Sequence, residues 1–125
     1  MDIKLDENLP IYMQIMNRFR QQMASGHLKA GDRIPPVREL AEKFGVNPNT
    51  MQRALYELEK EKLLYTERTS GRFVTKDSTM IETLRMQEAN LAVTEFWRRM
   101  KALGFSTKEV EKLFFSAAKH EIRVG

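Results

Sequence analysis

The stretch Val37-Arg38-Glu39-Leu40-Ala41-Glu42-Lys43-Phe44-Gly45-Val46-Asn47-Pro48-Asn49-Thr50-Met51-Gln52-Arg53-Ala54-Leu55 decides the fold. Its left half places Val37, Leu40, Ala41 and Phe44 at helical spacing, and Pro35-Pro36 opens that helix. Gly45 supplies the left-handed residue that closes a helix. Asn47 suits an N-cap and Pro48 a first helical position, so a new helix starts almost at once. Met51, Ala54, Leu55 and Leu58 carry its apolar stripe. A turn as short as Phe44 to Asn47 sets two helices at a steep angle. It leaves the start of the second helix, Pro48 to Arg53, projecting from the body.

Working outward, Ile11, Ile15, Phe19 and Met23 recur every four residues, with Met16 on the same face. Pro10 opens this helix and Gly26 ends it. His27 to Ile34 reads as a tight connection with Gly31-Asp32 as a turn. On the other side, Leu63-Leu64-Tyr65-Thr66 and Arg72-Phe73-Val74-Thr75 are strand-like around a polar turn, Glu67 to Gly71. From residue 77 the pattern is helical again, first from about Ser78 to Ala102 with a stop at Gly104. Ser106 and Glu109 then form a capping box for a last helix. The predicted fold is mainly α with a small β-wing. A winged helix-turn-helix occupies 1–76 and a two-helix tail occupies 77–125.

Composition bounds the function. The chain has 125 residues, 42% apolar and 30% charged, which fits one or two small globular domains. It carries 21 Lys and Arg against 17 Asp and Glu, a net charge of +4. Residues 1–76 hold 13 basic and 10 acidic side chains, and 77–125 hold 8 and 7, so the basic excess lies mostly in the first block. With no cysteine there is no disulfide, no thiol catalysis and no thiolate metal site. The two histidines, His27 and His120, are far apart, and no Gly-rich phosphate loop occurs. No metal, cofactor or nucleophile-and-base set is therefore expected, and not an enzyme. No apolar run reaches the roughly 20 residues a membrane helix needs. The acidic start, Met1 to Glu7, is unlike a secretory signal, so the expected setting is the cytoplasm.

The exposed chemistry points to nucleic acid. Asn49, Gln52 and Arg53 can hydrogen-bond base edges or phosphates, and Thr50 can do either. Asn47 caps the helix and stands beside them. The wing tip, Arg68-Thr69-Ser70-Gly71-Arg72, offers two guanidinium groups on a short turn that can follow a DNA backbone or enter a minor groove. Arg38 is placed to hold a phosphate. Each has a plainer reading. Arg38 can pair with Glu42, and Arg53 with Glu57, both at i+4. Arg68 and Arg72 can be solvated surface, and Glu57 to Lys62 the solvated end of a helix.

These residues carry a resemblance. Residues 10–76 resemble the DNA-binding domain of the GntR family of bacterial transcription regulators. The matching pieces are Pro10-Ile11-Tyr12 with Gln14-Ile15, and Gly26-His27-Leu28-Lys29-Ala30-Gly31-Asp32-Arg33-Ile34-Pro35. They continue through Arg38-Glu39-Leu40-Ala41, Gly45-Val46-Asn47-Pro48-Asn49-Thr50, Arg53-Ala54-Leu55, Leu58-Glu59, Leu63-Leu64 and Gly71-Arg72-Phe73-Val74. Many family members have Arg where this chain has Pro48 and Gln52. The resemblance implies a double-stranded DNA operator as partner, with Arg38 and the wing among the contacts. The short tail is similar to that of the YtrA subfamily. That likeness implies a dimer paired through the tail, and often a repressor of a transporter operon.

The tail's own pattern agrees. Met80, Ile81, Leu84, Leu91, Phe96, Trp97, Met100 and Leu103 lie on its first helix, and Phe105, Val110, Leu113, Phe114, Phe115 and Ile122 follow. Two helices alone cannot hide that surface, and each Å² removed from water is worth about 25 cal/mol. The expected interface of a homodimer comprises Met80, Leu84, Leu91, Phe96, Trp97, Met100, Leu113, Phe114 and Phe115. Two winged domains would then read two half-sites of a near-palindrome. The competing readings are packing onto the chain's own winged domain, or a protein-interaction module that docks a partner through the aromatic tail. The tail is small for a closed ligand pocket. A small-molecule effector, if one exists, is expected at the dimer or interdomain interface.

Overall fold

The computed structural model describes residues 8–124, with side chains up to Glu121. The acidic start and Ile122 therefore lie outside the described side chains. Eight elements follow in order: α1 (Ile11–Ser25), β1 (Arg33–Ile34), α2 (Val37–Phe44), α3 (Pro48–Lys60), β2 (Leu64–Glu67), β3 (Gly71–Val74), α4 (Ser78–Ala102) and α5 (Thr107–Val124).

The local signals act where the sequence places them. Gly45 takes φ +68° and donates its N–H to Ala41 and Glu42, which ends α2 in the left-handed conformation a Cβ would strain. Asn47 Oδ1 accepts the Asn49 N–H at 2.7 Å and starts α3 with Pro48 in its first turn. Asp77 accepts from the N–H groups of Thr79 and Met80 at the head of α4. In the capping box of α5, Ser106 N–H donates to Glu109 at 2.9 Å, and Glu109 N–H donates to Ser106 Oγ at 3.2 Å.

The sheet differs from the expected hairpin. Its order is β1-β3-β2, antiparallel throughout. Arg33 and Ile34, read above as part of a connection, form a third strand opposite Phe73 and Arg72. Two residues are too few to show a strand period, so this strand depends on its partner. The hairpin register pairs Leu64 with Val74, Tyr65 with Phe73, Thr66 with Arg72 and Glu67 with Gly71.

The chain divides into two compact units, one ending at Glu88 and the next beginning at Ala89. In the first, Ile15, Phe19 and Met23 of α1 meet Leu40 and Phe44 of α2, Met51, Leu55 and Leu58 of α3, and Leu64 and Val74 of the sheet. Phe19 and Phe44 stack with centroids 5.6 Å apart. Leu84 belongs to this core at 4% exposure, and Met80 and Ile81 pack against it. The expected division at 76/77 thus falls about a helical half-length early. Leu84 and Met80, expected at a dimer interface, instead help close the winged unit. Apolar spacing identifies a buried face but not the surface that buries it.

Candidate nucleic-acid interface

The first turns of α3 present Asn49, Gln52 and Arg53 exposed and Thr50 half-buried. Asn47 is exposed too, but its side-chain carbonyl is committed to the cap. Arg38, on α2, is exposed and makes no ion pair among the described residues. Its neighbour Glu39 pairs instead with Lys43 at 3.9 Å. A cation left without a local carboxylate is available to a phosphate.

Arg53 does not pair with Glu57, which binds Lys60 at 3.6 Å. Its guanidinium lies over the ring of Tyr12, 3.8 Å from the centroid. Ile11, Tyr12, Asn49, Thr50 and Arg53 line one cleft. On the other flank of α3, Gln52 shares a mixed groove with Arg33, Thr66, Gly71 and Arg72, floored in part by Ile34, Pro35, Pro36 and Val37. The helix therefore has an open depression on each side, both lined by hydrogen-bonding groups.

The wing requires a correction. Arg68 and Ser70 are exposed at its tip, and Gly71 turns the chain at φ +110°. Arg72, however, is not a loose tip residue. It stands on β3 with 18% of its side chain exposed, and its Nε donates to Glu59 at 2.5 Å. Thr66 Oγ1 donates to the same carboxylate oxygen. One carboxylate at the end of α3 thus ties down both members of a cross-strand pair. Burial pushes the Glu59 carboxyl upward, but the hydrogen bonds from Thr66 and Arg72 and the Arg72 charge outweigh it and lower its pKa. The run Glu57 to Lys62 is consequently not simply a solvated helix end. Glu61 also has a partner, Arg20 of α1, at 2.5 Å.

Three residues of this face were not singled out by their chemistry from sequence: Tyr12, Glu59 and Arg33. Arg33 is exposed on β1, and its Nε lies 3.3 Å from where a Cβ on Gly71 would stand. A side chain at 71 would displace it. All three depend on contacts far apart in sequence.

In the second unit, Phe96, Trp97, Val110, Phe114 and Phe115, with Ala92, Val93 and Glu111, line an open apolar cavity of about 550 Å³. Phe96 and Phe114 meet edge-on at 6.4 Å, as do Phe114 and Phe115 at 5.6 Å. Val110 is fully buried, but Leu91, Leu113, Phe114 and Phe115 remain 45–65% exposed. Met100 is half-buried. Of the expected interface residues, Leu91, Phe96, Trp97, Met100, Leu113, Phe114 and Phe115 lie in the second unit, whereas Met80 and Leu84, also on α4, lie in the first. Among the described residues, no helix is long and apolar enough to cross a membrane.

Two helices joined by a three-residue turn, a three-stranded sheet carrying a tight wing, and an exposed first turn of α3 define a winged helix-turn-helix DNA-binding protein. Residues 11–74 match the family described as "Bacterial regulatory proteins, gntR family". The chain belongs to this GntR family, in its YtrA-like branch, and is a DNA-binding transcription regulator. It is 32% identical to the uncharacterized HTH-type transcriptional regulator YhcF of Bacillus subtilis, over 88% of this chain and 91% of that protein. It is 39% identical to the HTH-type transcriptional repressor YtrA of the same organism, over 58% of each. A solved GntR family transcriptional regulator from Listeria monocytogenes superposes with a TM-score of 0.78 at 37% identity, covering 92% of this chain and 98% of that one. The DNA-binding domain of AraR, solved in complex with operator ORX1, gives 0.54 at 29% identity, over 60% and 95%.

Proposed function

We propose that the chain is a cytoplasmic homodimeric repressor that binds a near-palindromic operator and excludes polymerase from the overlapping promoter, as at a transporter operon. The observation that carries this reading is the face of α3 and the wing. Asn49, Gln52 and Arg53 are exposed on the first turns of α3, and Arg38 on α2 and Arg68 on the wing are exposed cations with no ion pair among the described residues. Base-edge specificity falls to Asn49, Gln52 and Thr50, whereas Arg38, Arg53 and Arg68 hold phosphates. Ser70 and Gly71 shape the tip, and Arg72 fixes its angle through Glu59. The relatives YtrA, a repressor, and AraR, solved with operator DNA, support the same reading.

The dimer is supported by the second unit. A surface bearing Leu91, Phe96, Trp97, Leu113, Phe114 and Phe115 at 36–65% exposure is unfavourable in water, and a two-fold copy would cover the same patch on both chains. No small-molecule effector is needed for the steric step. An effector that changed the spacing of the two winged units would alter half-site fit.

The test is a titration onto duplex from upstream of the chain's own gene, with a shuffled duplex alongside, at two salt concentrations. The reading expects at least about 10³-fold preference for the genuine site. It also expects weakening at the higher salt as counterions return to the phosphates. Two chains per duplex should bind. Equal weak binding to both duplexes would place the operator elsewhere, call for a missing effector, or turn the reading to a protein partner docked on the aromatic tail.

A further inference from the structure

We propose that Tyr12, at the start of α1, is a positioning residue for DNA binding. It holds Arg53 in place over the cleft between α1 and α3, so that a backbone phosphate meets a cation already stationed there. The proposal rests on the DNA-binding reading of this face and deepens it.

The geometry is specific. Arg53 is exposed and has a free choice of rotamers as far as its own helix is concerned. An arginine in that state loses much side-chain entropy when it is immobilised on a ligand. Its i+4 neighbour Glu57 does not hold it, because Glu57 is paired with Lys60. The guanidinium instead lies 3.8 Å from the Tyr12 ring centroid, well within the range of a cation–π contact. The ring itself is anchored: Tyr12 is half-buried and packs against the core of the winged unit. Stacking uses the flat face of the guanidinium and leaves its N–H edge free to donate. Asn49 and Thr50 line the same cleft, so the stationed cation meets the phosphate beside the amide and hydroxyl that read the neighbouring base edges. A carboxylate clamp would neutralise the charge that attracts DNA; an aromatic clamp leaves it intact.

The experiment compares wild type, Tyr12→Phe, Tyr12→Leu, Arg53→Gln and the Tyr12→Leu/Arg53→Gln double variant. Affinity for the duplex from upstream of the chain's own gene is measured over a range of salt, with a melting curve for each. Tyr12→Leu should weaken binding about two- to fivefold, the equivalent of an exposed cation–π contact. The slope of log affinity against log salt should be kept, because the charge remains. Tyr12→Phe, which retains the ring, should bind like wild type. Arg53→Gln should lower the slope by about one contact. In its background, Tyr12→Leu should have no further effect. Tyr12→Leu losses that persist in the Arg53→Gln background, or that track melting temperature across the set, mean a purely structural tyrosine and overturn the proposal. Loss on Arg53→Gln with none on Tyr12→Leu overturns it while the DNA-binding reading stands. No specific complex with the wild-type protein removes both.

Discussion

Glu59 shows how much one side chain can decide on this face. Its carboxylate receives Arg72 from β3 and Thr66 from β2, so it fixes the wing against the recognition helix. Its pKa is lowered because those hydrogen bonds and the Arg72 charge prevail over burial. The ionised form therefore adds stability above the ordinary glutamate range, about pH 4.3, and the gain is lost as pH falls through the lowered native value. Glu59→Gln should cost about 1–2 kcal/mol at neutral pH, since the amide oxygen still accepts but the charge that strengthens the Arg72 and Thr66 hydrogen bonds is lost. Melting temperatures across pH will check this: the gap between variant and wild type should close on acidification. A gap that is constant with pH would assign the loss to shape instead of charge. The role of Glu59 was not legible in the sequence. Arg72 lies 13 residues away, and only the register of β3 against β2 brings the pair together. Arg38 was legible, because its exposure follows from its place on α2 alone.

At the scale of elements, the helices were readable and the sheet was less so. Capping residues and apolar periods are local, and Gly45, Asn47 and Ser106 with Glu109 act as their neighbours require. Strand β1 has two residues and no pattern of its own. The end of α3 is a different case. The chain leaves the helix through Lys62 at φ +65°, a left-handed conformation in which a Cβ is crowded. Lys62 N–H donates to Glu59 and Leu63 N–H to Leu58, so the turn closes the helix correctly but with the wrong residue for comfort. Lys62→Gly should raise stability by about 0.5–1 kcal/mol, relief of the crowding exceeding the added freedom of the unfolded chain. Chemical denaturation with an unchanged m-value will show it. A loss of stability would mean that the lysine stem makes packing contacts that matter more than the backbone.

At the scale of the whole molecule, apolar positions on the two successive helices α4 and α5 have different destinations. Leu84 fills the core of the winged unit, and Phe115 projects from the tail at 61% exposure. Leu84→Ala should destabilise the winged unit by about 2–4 kcal/mol and leave the oligomeric state alone. Phe115→Glu should split the proposed dimer, with little change in the stability of either unit. Sedimentation and thermal melts on the two variants separate these outcomes. Dissociation by Leu84→Ala without loss of stability would return that residue to the interface. The sequence could not sort these positions, because both satisfy the same helical period. What differs is the surface opposite, and that is set by the fold.

Trp97 is the chain's single tryptophan, and it lines the apolar cavity with Phe96, Phe114 and Phe115. Indole emission shifts to the red and is quenched more readily by small solutes when the ring meets water. No dye, tag or second tryptophan is therefore required to watch this face. Diluting the unmodified protein should move the emission colour where the proposed dimer dissociates, and the concentration at the midpoint measures the affinity between copies; an emission constant with dilution would speak against the dimer. The regulator thus carries its own gauge of the proposed dimer, readable in the same cuvette in which operator DNA is added.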